Sequence, residues 1–498
     1  MALAGGYQSG RRDRRSTRNW RPAETSANAD ILPDLPDLRA RSRDLARNIP
    51  IATGALATTV TNVVGDGLTV QSTIDREALA LSEEEAKAWQ RQAEREFALW
   101  CDLADFTSAL SFAEMQGLIL RSVLESGDIL VVRRFRQDGA EPFGTKLQLV
   151  EADRISNANR APDTATQVAG VKFDADGVAI GWEVATRHPD DAGAFGSKRE
   201  LQWTPVPAWD KATGRPLALH IFVRLRPDQA RGVPWLAPVI EPLKTLGEYS
   251  EAEVRAAVIS AMFTAFVTSE PRDGDDVPII GATDSAAVSE PAKEIALEDA
   301  GAIVELEPGQ KVDVANPGRP NPVFDAFTMA VLRQVGVALE LPFELLVKHF
   351  TASYSASRAA LEMAWQFFRR HRTWLARRLC QPVYEWAIEE AVARGRLSAP
   401  GFFDDPIKRR AWLKAQWIGP PRINLDPLKE ANAHEVQLRN GTVSRAEIIV
   451  ERGGDPDAVH DQLAAEKRQR TAAGLDAPAA APPADQPADL QDQGDAQT

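Results

Sequence analysis

The sequence reads as an α+β fold, on three observations. Between about residues 128 and 224, short runs alternate apolar and polar side chains in the manner of strands. Helical periodicity fills both flanks of that region. One helical pattern, from about Ala356 to Arg394, continues for nearly forty residues.

Residues 11–21, RRDRRSTRNWR, hold six arginines and one aspartate without apolar periodicity, so 1–38 is expected to be a basic disordered arm. Residues 39–62 read as one or two helices. Gly65 and Gly67 then flank a turn at Asp66 before a short strand. Residues 89–102 are helical, with Ala93, Phe97 and Trp100 on one face, and a further helix after Thr107 carries Phe112, Met115, Ile119 and Val123. Strand character follows in DILVVRRFR, KLQLVEADRI, GVKFDADGVAIGWEVA and LALHIFVR, and Asp176-Gly177 between two alternating runs predicts a hairpin.

From Pro234 the pattern turns helical to about Val267, with prolines confined to the first turns. Between Glu270 and Ala300 there are nine acids and two bases; the strand-like AIVELEPGQKVDV closes this segment. A second helix, about 322–341, carries Phe324, Phe327, Val331 and Val335 and stops near Pro342. A Ser/Tyr-rich loop then leads into the long helix, with Ser355 or Ser357 as its N-cap. Leu361, Trp365, Phe368, Leu375, Leu379, Val383 and Trp386 make its apolar stripe, and Pro382 should kink it. Beyond it, Asp426-Pro427, the capping box Ser444-Arg-Ala-Glu447 and Asp455-Pro456 begin three short helices of a compact helical domain. Residues 471–498, with five aspartates and no base, are expected to be a disordered tail.

With 58 basic residues against 71 acidic ones the net charge is −13, which argues against ordinary adhesion to nucleic acid. Two cysteines, Cys101 and Cys380, suit a reduced compartment, and no stretch approaches the ~18–20 apolar residues of a membrane span. The expectation is an intracellular, soluble protein. No two of the six histidines sit at ligand spacing, so neither a metal site nor a cofactor is expected. Asp426, Lys429 and Glu430 resemble a nuclease cluster but fall where a helix cap explains them. Glu151 and Asp153 sit at a strand end where a divalent ion could bind, but two exposed carboxylates in such a place usually bind nothing. Serine catalysis at Ser353, Ser355 or Ser357 would need a base and an oxyanion hole; only His349 is near in sequence. No catalytic residue is expected.

The stretches RSRDLARNIPIATGAL, VTNVVGDGL, LHIFVRLRPDQARGVPW, SYSASRAALEMAW and INLDPLKEANAHEVQLRNGTVSRAEIIVERGGD, in that order and spacing, resemble the lambda-like portal proteins of tailed bacteriophages. The resemblance runs from about residue 39 to 468. It implies a portal-type subunit: a β-rich and helical wing (39–233), a stem helix (234–268), a clip (269–321), a second stem helix (322–346), a tunnel loop (347–357), a long wing helix (358–395) and a helical crown (396–470). It implies a homo-oligomeric ring of twelve at one vertex of the virion head, assembled in the host cytoplasm, through which double-stranded DNA is packaged and ejected. Terminase, the major capsid protein and the head-completion and tail-connector proteins are the implied partners. Lys348, His349, Ser353, Tyr354, Ser355 and Arg333 would face the DNA channel, Arg333 being equally suited to an intersubunit salt bridge. Asp273, Asp275 and Asp276 of the clip would meet the motor or adaptor. An acidic wall suits a duplex that must slide, since each Lys or Arg contact to phosphate adds affinity.

Two other classes compete. A head–tail adaptor shares the acidic surface, but such proteins are shorter and lack so long a helix. A phage nuclease or protease would draw on the acid clusters and the serine loop, without a metal or triad constellation to support it.

Overall fold

The structure, a computed structural model, describes residues 15–137, 139, 141–191, 200–262, 266–269, 310–313, 324–350, 353–422 and 426–475. Helix begins inside the segment read as an arm. Ser26 caps α1 (Ala27–Ile31), and α2 (Leu35–Asn48) and α3 (Pro50–Val63) follow, separated by an extended Ile49 that leaves Pro50 at a helix start. The turn before β1 (Thr69–Ser72) places Gly65 and Gly67 at φ +57° and +116°, where a Cβ would be strained. After α4 (Arg76–Leu79), the helices α5 (Glu83–Cys101) and α6 (Phe112–Ser126) each open on a capping box, Ser82 with Glu85 and Ser111 with Glu114.

The strands are β2 (Asp128–Phe135), β3 (Thr145–Glu151), β4 (Gln167–Val168), β5 (Val171–Phe173), β6 (Ala179–Ala185), β7 (Trp203–Pro207) and β8 (Ala218–Phe222). They form two antiparallel sheets, ordered β3-β2-β8 and β4-β5-β6-β7. The expected Asp176-Gly177 turn joins β5 to β6, with Gly177 at φ +79°. Strand β7, with prolines at 205 and 207, went unread because it lacks apolar alternation. Leu130, Val132, Val150, Trp182, Val184 and Val206 form a second, smaller core between the sheets.

Next come α7 (Ile240–Met262), β9 (Phe266–Ser269), β10 (Gln310–Asp313) and α8 (Phe324–Ala338). The helix expected to reach Val267 is instead followed by a strand: β9 pairs antiparallel with β10, opposing Phe266 to Asp313. Phe-Val-Thr favours that geometry through its aromatic and β-branched side chains. Tyr249 of α7 meets Phe324 and Phe327 of α8, with ring centroids 5.3 and 5.4 Å apart.

After α9 (Phe343–Val347), forty consecutive helical residues, about 60 Å, make up α10 (Tyr354–Leu375), a π turn over Ala376–Cys380 and α11 (Gln381–Ala393). The wider π turn sits just before Pro382, whose ring would otherwise meet the carbonyl four residues back. Phe368, Leu375, Leu379, Val383 and Trp386 are buried and Leu361 and Trp365 partly so, as the stripe requires. The helix N-cap is Ser353 rather than Ser355 or Ser357, and Ser357 is buried in the first turns.

The chain then adds α12 (Pro406–Trp412), β11 (Ala415–Ile418), α13 (Pro427–Arg439), α14 (Arg445–Glu451) and α15 (Pro456–Ala472). Strand β11 interrupts the expected run of short helices. It pairs with β1 from the opposite end of the sequence, Ile418 opposite Thr69. Leu397, Phe402, Trp412 and Leu413 lie in the main core, where Trp89 packs on Trp412 and Phe97 on Trp100, Phe112 and Tyr384. The three capped helices beyond residue 426 are as expected, with Asp426, Ser444 and Asp455 each accepting first-turn amides. They bury little, and Leu428 and Leu463 stay exposed.

Candidate functional site

The segment from α8 to α10 carries most of the expected channel residues. Helix α8 ends when Glu340 takes φ +53°; the Leu341 amide then donates to the Gly336 carbonyl at 2.9 Å, closing a Schellman turn. Gly336 permits this approach, since a Cβ there would lie 2.7 Å from the Leu341 oxygen. Leu345 and Leu346 anchor α9 in the core. Helix α9 ends in turn at Lys348, φ +54°, with the His349 amide donating to the Glu344 carbonyl at 3.1 Å.

Lys348 and His349 are therefore exposed on a loop whose preceding turn is fixed. Ser353 and Ser355 are also exposed, and their hydroxyls lie 3.3 Å apart. Among the described residues no hydrogen bond joins either to His349, so the contact formed is hydroxyl to hydroxyl. Tyr354 begins α10. Arg333 is exposed on α8, its guanidinium 5.6 Å from the Phe343 ring centroid. Asp273, Asp275 and Asp276 lie outside the described residues.

The long helix is tied down along its length. Arg370 donates to both carboxylate oxygens of Glu340, at 2.8 and 3.0 Å. Arg372 donates to the Asn62 and Val63 carbonyls at 2.9 and 3.2 Å, capping the C-terminus of α3. Burial pushes this guanidinium down to about 10. In α11, Glu390 accepts the amides of Gly144 and Thr145 at 2.7 and 2.8 Å and Arg394 at 2.7 Å. Burial would raise its carboxyl, but these bonds outweigh burial and lower it. Glu389 pairs with Arg215 and, at 2.9 Å, with Arg409.

Sequence reasoning missed the buried charge cluster between the sheets and the segment before α7. Asp128, at the start of β2, accepts from Arg39, Arg231, His220 and the Gly232 amide. Burial would raise its carboxyl; Arg231 and Arg39, with the His220 bond, hold it well below the usual range. The signal was an acid between a helix and a strand, SGDILV, and an Arg-Gly ahead of α7, each ordinary alone. Glu151 and Asp153 face Arg43 rather than an ion site. Among the described residues, no group of three His, Cys, Asp or Glu is placed to hold a metal, and no helix is long and apolar enough to cross a membrane. Asp426 accepts the Lys429 amide at 3.2 Å, the cap geometry expected of it.

In chain order the fold gives two small sheets, paired helices around a ribbon, a loop and a long helix. The profile described as "Phage portal protein, lambda family" matches residues 13–372. The chain belongs to the lambda family of phage portal proteins, structural components of the tailed-phage head. The portal protein of Escherichia phage N15 is 28% identical over 486 residues, covering 93% of this chain and 89% of that protein. Portal protein B of Escherichia phage lambda is 27% identical over 483 residues, with the same coverages. The probable portal protein of Halomonas phage phiHAP-1 is 25% identical over 481 residues, covering 94% of this chain and 87% of that protein. Among solved structures, a chain from the neck of an empty GTA particle has a TM-score of 0.48 at 13% identity, covering 83% of this chain and 94% of that one. That likeness carries no part of the assignment.

Proposed function

We propose that copies of this portal protein close into a ring, twelve in number, whose central channel passes double-stranded DNA into the head and out to the tail. The observation that carries this reading is the segment order α7, β9–β10 ribbon, α8, loop, long helix. Two packed helices lead into and out of a ribbon, and a basic, hydroxyl-bearing loop follows at one end of a 60 Å strut (about 1.5 Å per residue). In this reading 39–233 and 358–395 form the wing, 234–268 and 322–346 the stem, 269–321 the clip, 347–357 the tunnel loop and 396–470 the crown.

Lys348 and His349, with Ser353, Tyr354 and Ser355, would touch passing DNA. A few bases per subunit on an otherwise acidic chain steady a duplex without trapping it. Arg333 would face the channel or a neighbouring subunit. The clip, with Asp273, Asp275 and Asp276, would dock terminase and then the head-completion and tail-connector proteins, and the wing would meet the major capsid protein. A ring repeats one heterologous contact, so each subunit needs two complementary faces.

Mass photometry of the untagged chain, with negative-stain images, tests the reading. Twelve copies of a 54.4-kDa chain give particles of about 650 kDa, with a hole wider than a DNA duplex. A stable dimer with metal-dependent nuclease activity would overturn it.

A further inference from the structure

Two successive helices, α8 and α9, end on charged residues in the left-handed conformation, Glu340 at φ +53° and Lys348 at φ +54°. That position is the usual place of glycine, which takes it without steric cost. A glutamate there needs a reason beyond the turn itself. The structure supplies one: both Glu340 oxygens accept from one nitrogen, Nη2, of Arg370 on the long helix, 30 residues away. Both side chains of the pair are more than half exposed, so its role is to set geometry rather than to add much stability. Arg370 also lies over the Phe367 ring, 5.9 Å from its centroid. Phe367 in turn stacks against Trp235, at the foot of the first stem helix, at 6.1 Å.

We infer that Arg370 and Glu340 are positioning residues for Lys348 and His349, a clamp that sets the α8–α9 turn that carries them relative to the long helix. The inference rests on the channel reading above. Between the clamp and Lys348 lies only α9, held rigid by Leu345 and Leu346 in the core and by Phe343 under Arg333. A shift of the turn at Glu340 is therefore carried to Lys348 by a short rigid element. The second left-handed residue, Lys348, is exposed and has no ion-pair partner among the described residues. Strain of this kind without an internal contact to offset it is common where a side chain is presented to something outside the chain.

A merely structural role and a positioning role predict opposite results for Glu340→Gly. Glycine suits the left-handed turn better than glutamate, so the folded subunit should be as stable as the wild type or more so. The positioning role predicts normal rings but about tenfold fewer DNA-filled heads per ring, a loss within the ordinary size of a coupling between sites. The experiment compares full-length wild type, E340G, E340Q, R370Q and the swap E340R/R370E. It reads ring mass, unfolding temperature and DNA-filled heads in particles made with each. E340G and R370Q should lose filling, E340Q should keep part of it, and the swap should restore it. Filling by E340G equal to wild type would overturn the inference, as would failure of E340G to form rings, which would make the clamp an assembly contact. If wild-type rings themselves fail to fill heads, the channel reading is what fails.

Discussion

Arg231 grips Asp128 with two parallel bonds, Nε to one carboxylate oxygen at 2.6 Å and Nη2 to the other at 3.0 Å, and both side chains are buried. The remaining guanidinium protons go to the carbonyls of Ala152, Ile155 and Ala169. One side chain thus satisfies all five donors while joining β2, the turns at Ala152, Ile155 and Ala169 and the segment that leads into α7. The fork geometry of arginine is what makes this possible; lysine could not do it.

Asp128→Asn tests that junction. It would turn an amide N–H toward Arg39 and Arg231, leaving the buried Arg231 without a counter-charge and Arg39 with only the more distant Asp153, 3.8 Å away. Breaking a buried pair from one side costs about 3–5 kcal/mol, read as a lower denaturant midpoint at pH 7. Since the folded carboxyl lies below its ordinary value, the stability it contributes is present above the ordinary range near pH 3.8 and lost as pH falls through the folded value. The difference between wild type and D128N should therefore shrink in strong acid.

Gly232→Ala should be nearly as damaging for a different reason. Gly127 and Gly232 cross so closely that a Cβ on Gly232 would lie 2.0 Å from the Gly127 carbonyl oxygen. Both partners are backbone, so neither can swing aside, and the start of β2 at Asp128 and the segment leading to α7 would have to separate. Overpacking typically costs about 1–3 kcal/mol, and this contact belongs at the upper end. Thermal unfolding of G232A against Gly214→Ala, at a glycine that is itself left-handed but faces open space, separates crowding from backbone strain.

Much of this frame was legible from local rules. The capping box at Ser444, the Asp176-Gly177 hairpin and the stripe from Leu361 to Trp386 depend on neighbours within a few residues, and these are as expected; the boxes at Ser82 and Ser111 follow the same local rule but were not expected. What escaped depends on partners far away in sequence. Strand β11 exists because β1 offers an edge about 350 residues earlier, and the Asp128 cluster gathers Arg39, His220 and Arg231 from three segments. At the candidate loop, the family resemblance pointed to Lys348 and His349, but the left-handed turn at Glu340 and its bond to Arg370 carry no local signature. The N-cap moved from Ser355 or Ser357 to Ser353 because any of the three serines satisfies the local preference.

The contact between α15 and the body should respond to pH through Glu94. Its carboxylate accepts the Ser72 amide at 2.7 Å, close to Asp455 and Asp457 at the start of α15. Burial raises it to about 7 from an ordinary 4.5, and the two aspartates add to the rise against the Ser72 bond. A carboxyl raised by folding favours the fold fully below its ordinary value, and that advantage is lost as pH rises through about 7. Wild type should lose thermal stability between pH 5 and 8 more steeply than Glu94→Gln, which keeps an acceptor for Ser72 without the charge. Equal slopes would remove Glu94 from the account.

Arg372 joins the long helix to α3 through the carbonyls of Asn62 and Val63. Its guanidinium lies 4.9 Å from the Trp365 ring centroid and donates to Asn62 and Val63, where the negative end of the α3 dipole favours a cation. Arg372→Met keeps the apolar stem of the side chain but leaves those carbonyls without their donors. Hydrogen bonds to a charged group contribute about 1.5–3 kcal/mol; the side chain is partly exposed, so the loss belongs at the lower end. Gly419→Ala should reproduce part of the effect without touching the arginine, since a Cβ there would sit 2.6 Å from the Arg372 Nε and displace it. In a double-mutant cycle the two changes should be less than additive, because each removes the same bond. Full additivity in the denaturant midpoints would mean that Arg372 does not hold α3 through this contact.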